Sequence, residues 1–201
     1  MSAADPYAPV GRGLPRWSDA VIAVLVLIPT APLLLLIMLA IRLESPGPAI
    51  YKQVRVGVRG EHFSLYKLRT MGIGNDPVGV GTLVTHDDPR VTRIGRILRR
   101  FSIDEIPNLV NVLLGEMRIV GPRPTIPSQV TLFDPDQHRR HAVRPGMTGW
   151  AQINGHIGIE WGERIDLDLW YVENRSLRLD LRILVRTAWQ VISGRGLYTG
   201  G

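Results

Sequence analysis

The run Ala20-Val21-Ile22-Ala23-Val24-Leu25-Val26-Leu27-Ile28-Pro29-Thr30-Ala31-Pro32-Leu33-Leu34-Leu35-Leu36-Ile37-Met38-Leu39-Ala40-Ile41 decides the architecture. Its 22 residues carry no charge and are rich in Leu, Ile and Val. A helix of about 20 such residues covers a hydrocarbon core about 30 Å thick. A cleaved leader has a shorter apolar region, about 7–15 residues, ending at small residues. Here the run continues instead into Arg42-Leu43-Glu44-Ser45-Pro46. Pro29 and Pro32 each remove an N–H donor and crowd the preceding turn, so a bend is predicted, with Thr30 placed to satisfy a freed carbonyl. Arg12 and Arg16 precede the run and Arg42 follows it. Basic flanks prefer the cytoplasm. A helix that enters, bends and returns satisfies both flanks, and a straight span satisfies one. Both forms remain open, and the flanks favour the re-entrant one.

Working outward, residues 1–16 read as a flexible tail, 17–44 as the membrane anchor and 45–201 as one compact domain. Ser45-Pro46-Gly47-Pro48 ends the anchor. Residues 49–58 and 62–69 are β-branched and aromatic, with Arg59-Gly60 between them, and predict a β-hairpin. Residues 72–90 hold Gly, Asp and Pro and predict a loop. Residues 91–101 predict a short amphipathic helix, with Val91, Ile94, Leu98 and Phe101 on one face and Arg93, Arg96, Arg99 and Arg100 toward the other. Beside an anchor, such a helix lies in the membrane interface with its arginines at lipid phosphates. A further helix is predicted from Ser102, where Ser102-Ile103-Asp104-Glu105 matches a capping box. It tolerates Pro107 in its first turn and stops at Gly115. Residues 176–193 form a late helix whose apolar face is Leu177, Leu181, Leu184, Val185, Ala188, Trp189 and Ile192. The fold class is therefore α+β: a membrane helix, a small hairpin and amphipathic helices around one domain.

The chain has 201 residues, no cysteine and a formal charge of +6, with a pI near 10.3. Disulfides, thiolate metal sites and a cysteine nucleophile are excluded. The basic balance points to polyanionic partners, namely nucleic acid, an anionic membrane face or phosphorylated substrates. No GxxxxGK[ST] loop, GxGxxG, HExxH or GxSxG pattern occurs. A nucleic-acid binder is disfavoured by the anchor and by the scarcity of aromatic platforms beside the basic segments.

Asp104-Glu105 is the first candidate for chemistry. Two carboxylates at a helix start are favoured in their ionised forms. An ionised aspartate can attack phosphorus, and paired carboxylates offer hard oxygens to Mg²⁺. The competing reading is a solvated capping box. Lys67 and Arg69 stand at the end of the hairpin, Arg123 in Gly121-Pro122-Arg123-Pro124, and Arg144 in Arg144-Pro145-Gly146-Met147-Thr148-Gly149-Trp150. Arginine held on a stiff turn grips phosphate. A tethered scaffold without catalysis would explain the anchor but leaves these residues without a reason.

The segments Lys67-Leu68-Arg69-Thr70-Met71, 102–117, 120–124, 144–155 and Asp166-Leu167-Asp168-Leu169-Trp170-Tyr171-Val172, in that order, resemble the bacterial sugar transferase family, the monotopic phosphoglycosyl transferases, from about residue 16 to 193. The chain is similar to the minimal form, one anchor and one catalytic domain. The resemblance implies transfer of a sugar 1-phosphate from a UDP-sugar to polyprenyl phosphate, undecaprenyl phosphate, with release of UMP. Asp104 would be the nucleophile that carries the phosphosugar. Glu105 would share an Mg²⁺ site with Asp104. Lys67, Arg69, Arg99, Arg123 and Arg144 would hold substrate phosphates. His156 and Asp168 would contact the donor sugar or nucleotide, with His156 standing where many members carry arginine. The implied setting is the cytoplasmic face of a bacterial inner membrane, at the first membrane step of glycoconjugate assembly, with membrane lipid and no nucleic acid as partner. The sugar, the pathway and the oligomeric state stay open, a dimer through the late helix included.

Overall fold

The computed structural model describes residues 7, 11–72, 74, 88–155 and 160–193. The apolar run forms one helix, α1 (Arg16–Glu44), with Pro29 and Pro32 inside it. The Thr30 hydroxyl donates to the Val26 carbonyl at 2.6 Å, one residue beyond the Leu25 carbonyl that Pro29 deprives of a donor. Such back-bonding bends helices rather than repairing them. Large apolar residues in the middle of α1, including Leu25, Ile28, Leu33, Leu35 and Leu36, are exposed.

Both ends of α1 dock on the same domain. At its start Ala23 is buried in the main core, with Ile22 and Leu27 packed beside it. The buried Asp19 pairs with Arg118 at 2.6 Å. At its end Ile41 is buried with Leu68 and Leu98, and Leu34, Ile37 and Met38 pack on that cluster. At about 1.5 Å per residue the helix is about 43 Å long. It therefore reaches across the domain rather than away from it.

The predicted hairpin is present as β1 (Ile50–Val56) and β2 (His62–Leu68), antiparallel from Ile50↔Leu68 to Val56↔His62. Arg59 (φ 55°) and Gly60 (φ 80°) both take the left-handed conformation in its turn, where Glu61 N–H donates to the Val58 carbonyl. The amphipathic helix is α2 (Arg93–Arg100), capped by Thr92, whose hydroxyl accepts from Gly95 N–H. Most of the predicted 72–90 loop lies outside the described residues.

The capping box at Ser102 does not form. Ser102 is left-handed (φ 54°), its hydroxyl is buried without a partner, and Ile103–Glu105 is a single 3₁₀ turn. The helix α3 (Asn108–Leu114) starts only after Pro107, whose missing N–H costs least at a helix start. It ends at Gly115 as predicted. Asn111, fully buried, ties α3 to β2. Its side-chain amide donates to the Ser64 carbonyl and to Glu116 Oε2, both at 2.7 Å, and its oxygen accepts from Tyr66 N–H.

Strands β3 (Arg118–Val120) and β4 (Gly146–Thr148) pair in parallel, separated by the short helix α4 (Pro127–Val130) and a 3₁₀ stretch, Gln137–Ala142. The backbones of Gly121 and Gly146 approach so closely that a Cβ on Gly146 would lie 2.1 Å from Gly121 N. Helices α5 (Trp150–Asn154), α6 (Trp161–Asn174) and α7 (Leu177–Ile192) complete the domain. The apolar stripe predicted for the late helix faces outward, with Leu177, Leu181, Val185, Trp189 and Ile192 exposed. Leu179, Asp180 and Ile183 are the buried side of α7.

Candidate active site

The failed capping box is what makes the site. Turning at Ser102 points Asp104 and Glu105 inward, and they are only 6% and 4% exposed. Glu105 meets two cations. Lys67 Nζ, from the end of β2, lies 2.6 Å from Oε1, and the Arg123 guanidinium, from the loop after β3, donates to the same oxygen at 2.6 Å. Burial opposes ionisation of Glu105, but Arg123 and Lys67 outweigh it and hold its carboxyl well below the usual carboxylate range. Asp104 differs. Its Oδ1 is buried with no hydrogen-bond partner among the described residues, and burial pushes its carboxyl above the ordinary aspartate value, against the pull of Lys67. Burial also lowers the Lys67 ammonium, against the attraction of Glu105. Arg99 also faces Asp104, its Nε bound to Thr70 Oγ1 at 2.9 Å.

Beside this pair opens a small cleft lined by Arg55, Lys67, Asn108, Arg123 and Met147. None of its lining residues is acidic. Asn108 Oδ1 is buried with no hydrogen-bond partner among the described residues. The sequence reading missed Arg55 and Asn108. Asn108 lies one helical turn after Asp104, which was a usable signal. Arg55 reaches the site through strand pairing and a contact with Pro124, which nothing local announces.

Of the sequence-predicted residues, Asp104, Glu105, Lys67, Arg99 and Arg123 come together. Others do not. Arg69 is buried, and its guanidinium donates to the carbonyls of Ile41, Ser45 and Pro46, closing the C-terminal end of α1. These bonds tie the chain just after α1 to the end of β2. Arg144 sits at the root of the anchor. Burial lowers its guanidinium, and Arg16, Arg118 and Arg175 add to the shift. Asp168, 1% exposed, is paired with Arg140 inside the domain instead of facing a sugar. His156 lies outside the described residues.

Magnesium takes one or two carboxylates and otherwise phosphate oxygens and water. The unpartnered Asp104 oxygen fits that role. Glu105, engaged by Lys67 and Arg123, fits it less well. Among the described residues no cluster of three or more His, Asp or Glu forms a separate metal cage.

The family model described as bacterial sugar transferase matches residues 10–194. The chain belongs to the bacterial sugar transferase family. This sugar transferase is 43% identical over 184 residues to the uncharacterized sugar transferase EpsL of Bacillus subtilis, covering 92% of this chain and 90% of that one. It is 40% identical to the UDP-glucose:undecaprenyl-phosphate glucose-1-phosphate transferase of Escherichia coli, over 96% of this chain but 43% of the relative. It is 38% identical to the UDP-N-acetylgalactosamine-undecaprenyl-phosphate N-acetylgalactosaminephosphotransferase of Aeromonas hydrophila, over 94% of this chain and 45% of that protein. The sugar transferase thus corresponds to nearly the whole of EpsL and to less than half of the other two.

Proposed function

We propose that this transferase of substituted phosphate groups moves a sugar 1-phosphate from a UDP-sugar onto undecaprenyl phosphate and releases UMP, through a phosphosugar carried on Asp104. One observation carries the reading: the buried Asp104 Oδ1 has no hydrogen-bond partner among the described residues, while the charge of its neighbour Glu105 is neutralised by Lys67 and Arg123. One carboxylate is left uncommitted for attack and the other holds the cations. The names of the E. coli and A. hydrophila relatives support both substrates.

In the first step an Asp104 carboxylate oxygen attacks the β-phosphorus. The new O–P bond forms as the bond from that phosphorus to the bridging oxygen breaks, and its electron pair leaves on UMP. An oxygen of undecaprenyl phosphate then attacks the same phosphorus, and the Asp104 carboxylate departs with the bonding pair. Arg55, Lys67 and Arg123 line the cleft where phosphate charge is held, and fixed cations lower the cost of the charge that develops there. Asn108 Oδ1 is an acceptor available to a donor hydroxyl. Magnesium, when bound, neutralises phosphate charge, with Asp104 as the protein ligand on offer.

The anchor fits a lipid-borne acceptor. One domain holds both the Asp19 end and the Ile41 end of α1, which supports placing both ends on one side of the bilayer. We therefore read α1 as re-entrant, residues 45–201 as the catalytic domain and the cytoplasmic face of the inner membrane as its location. The exposed stripe on α7, with Ile97 and Phe101 on α2, supplies further apolar surface for the interface.

The test is UMP release by purified protein in lipid, with undecaprenyl phosphate, magnesium and a UDP-sugar panel that includes UDP-glucose and UDP-N-acetylgalactosamine. Release with one donor, abolished in Asp104→Asn, supports the reading. Release that survives in Asp104→Asn contradicts it.

A further inference from the structure

The segment that presents Arg123 is held largely by bonds to its carbonyls. Pro122 and Pro124 lack N–H groups, so the backbone there cannot build its own ladder. Its carbonyls are instead held one by one from elsewhere in the chain. Gly146 N–H donates to the Pro122 carbonyl at 2.9 Å. Arg140 donates to the Arg123 carbonyl at 2.9 Å, and Arg55 to the Pro124 carbonyl at 2.8 Å. Arg140 comes from the 3₁₀ stretch Gln137–Ala142. It is 3% exposed and paired with the equally buried Asp168 of α6, and the Phe133 ring lies beside its guanidinium at 5.7 Å. The same Arg140 nitrogen bonds both the Asp168 carboxylate and the Arg123 carbonyl. Two buried charges are costly to desolvate, and apolar residues of similar volume often replace such a pair without loss of stability. The contact to Arg123 gives this pair a use that packing alone would not supply.

We infer that the buried Arg140–Asp168 pair is a positioning device for the reaction proposed above: it fixes the Arg123 backbone so that its guanidinium meets Glu105 and the phosphate cleft. Neither residue lines the cleft. The chain of contact runs from Asp168 to Arg140, from Arg140 to the Arg123 carbonyl, and from the Arg123 side chain to Glu105 beside Asp104. Both bonds come from Nη2, whose two N–H groups are fixed in the guanidinium plane, whereas an ammonium turns freely on a flexible stem and does not hold that geometry.

The experiment is a double-mutant cycle on UMP release. Arg140→Met with Asp168→Leu removes the pair without leaving a lone buried charge. In an otherwise wild-type chain it is expected to lower kcat/KM by about 10- to 100-fold, the scale of a misplaced catalytic group. On an Arg123→Ala background the same pair of changes is expected to cost less than about 2-fold, because the group being positioned is gone. Equal losses on both backgrounds, or no loss on either, overturn the inference, since a purely structural role is blind to Arg123. Arg140→Lys decides the matter if the double variant does not fold or Arg123→Ala falls below detection. It keeps the charge opposite Asp168, so a folded Arg140→Lys protein with wild-type turnover overturns the inference, and one with the predicted loss supports it. A wild-type protein that releases no UMP sinks the reaction reading itself, which these variants would otherwise leave standing.

Discussion

Lys67 Nζ lies 2.6 Å from Glu105 Oε1, and the contact joins the end of the β-hairpin to the turn that carries Asp104. Arg123 reaches the same oxygen from the loop after β3. A buried carboxylate shared by two cations cannot be neutralised cheaply. Glu105→Gln leaves Lys67 and Arg123 without their counter-charge, and a stability loss of about 3–5 kcal/mol is expected. Chemical denaturation of the wild type and the variant measures it. A loss below about 1 kcal/mol would show that Glu105 is not the hub of the cluster.

The two carboxyls of the dyad are driven in opposite directions, and the activity profile should report the upper one. Asp104 attacks only when ionised, and burial raises its carboxyl above the ordinary aspartate value. Glu105 stays ionised to much lower pH. The rate of UMP release should therefore rise with pH through an acid limb set by Asp104, and kcat/KM in the free enzyme reads that limb. Lys67 holds the Asp104 carboxyl down, so in Lys67→Met the limb is expected at higher pH. A limb that moves to lower pH in Lys67→Met would reverse the assignment.

How much of this was legible depends on the kind of signal. The hairpin was, because β-branched alternation and an Arg-Gly turn are local. The long apolar helix was, because 22 uncharged residues admit few alternatives. Ser102 misled, because its spacing to Glu105 is that of a capping box while Pro107 delays the helix and the chain turns inward instead. Arginines were visible as charge but not as partners. Whether Arg69 meets a phosphate or the carbonyls of Ile41, Ser45 and Pro46 is decided by tertiary distance, which no local pattern encodes. Asp168 was noticed through the family resemblance, yet its partner Arg140 lies 28 positions away in the chain. The outward face of α7 shows the same limit: the periodicity reveals a stripe, and packing decides which side is buried.

Arg69 should matter for the anchor rather than for substrate affinity. In Arg69→Ala the Ser45 and Pro46 carbonyls just after α1 lose their side-chain donor, and the Ile41 carbonyl keeps only the Ser45 N–H. A drop in melting temperature with little change in KM for the UDP-sugar is expected, and Arg69→Lys should rescue only part of it. A large rise in KM without destabilisation would return Arg69 to the substrate.

His141 gives a separate acid sensitivity. It is 4% exposed, and burial, with Arg140 and His138 adding, pushes its imidazole down to about 3. The unfolded chain binds this proton below about 6.5 and the folded chain does not. The stability is therefore fully present above about 6.5 and is lost as pH falls from there toward 3, by up to about 1.4 kcal/mol per pH unit. His141→Phe removes the titration, so the melting temperature should fall less between pH 7.5 and pH 5 than in the wild type. Identical falls would mean that the folded chain protonates His141 as readily as the unfolded one.

The re-entrant anchor has a direct topological test, because the chain contains no cysteine to confuse it. Arg12→Cys and Pro48→Cys mark the two sides of α1. Both are expected to resist an impermeant maleimide in spheroplasts and to react in inverted membrane vesicles. Labelling of Arg12→Cys from outside would make α1 a span.

The most direct test of the central claim is UMP release without any polyprenyl phosphate, followed by the intact mass of the protein. Mixing the enzyme with its UDP-sugar should give a burst of about one UMP per active chain and a mass increase equal to one phosphosugar. Both should be absent in Asp104→Asn, and both should be discharged on adding undecaprenyl phosphate. No burst and no added mass, in a protein that turns over once the acceptor is present, would mean that the phosphosugar passes straight from donor to lipid, and Asp104 would not be the nucleophile.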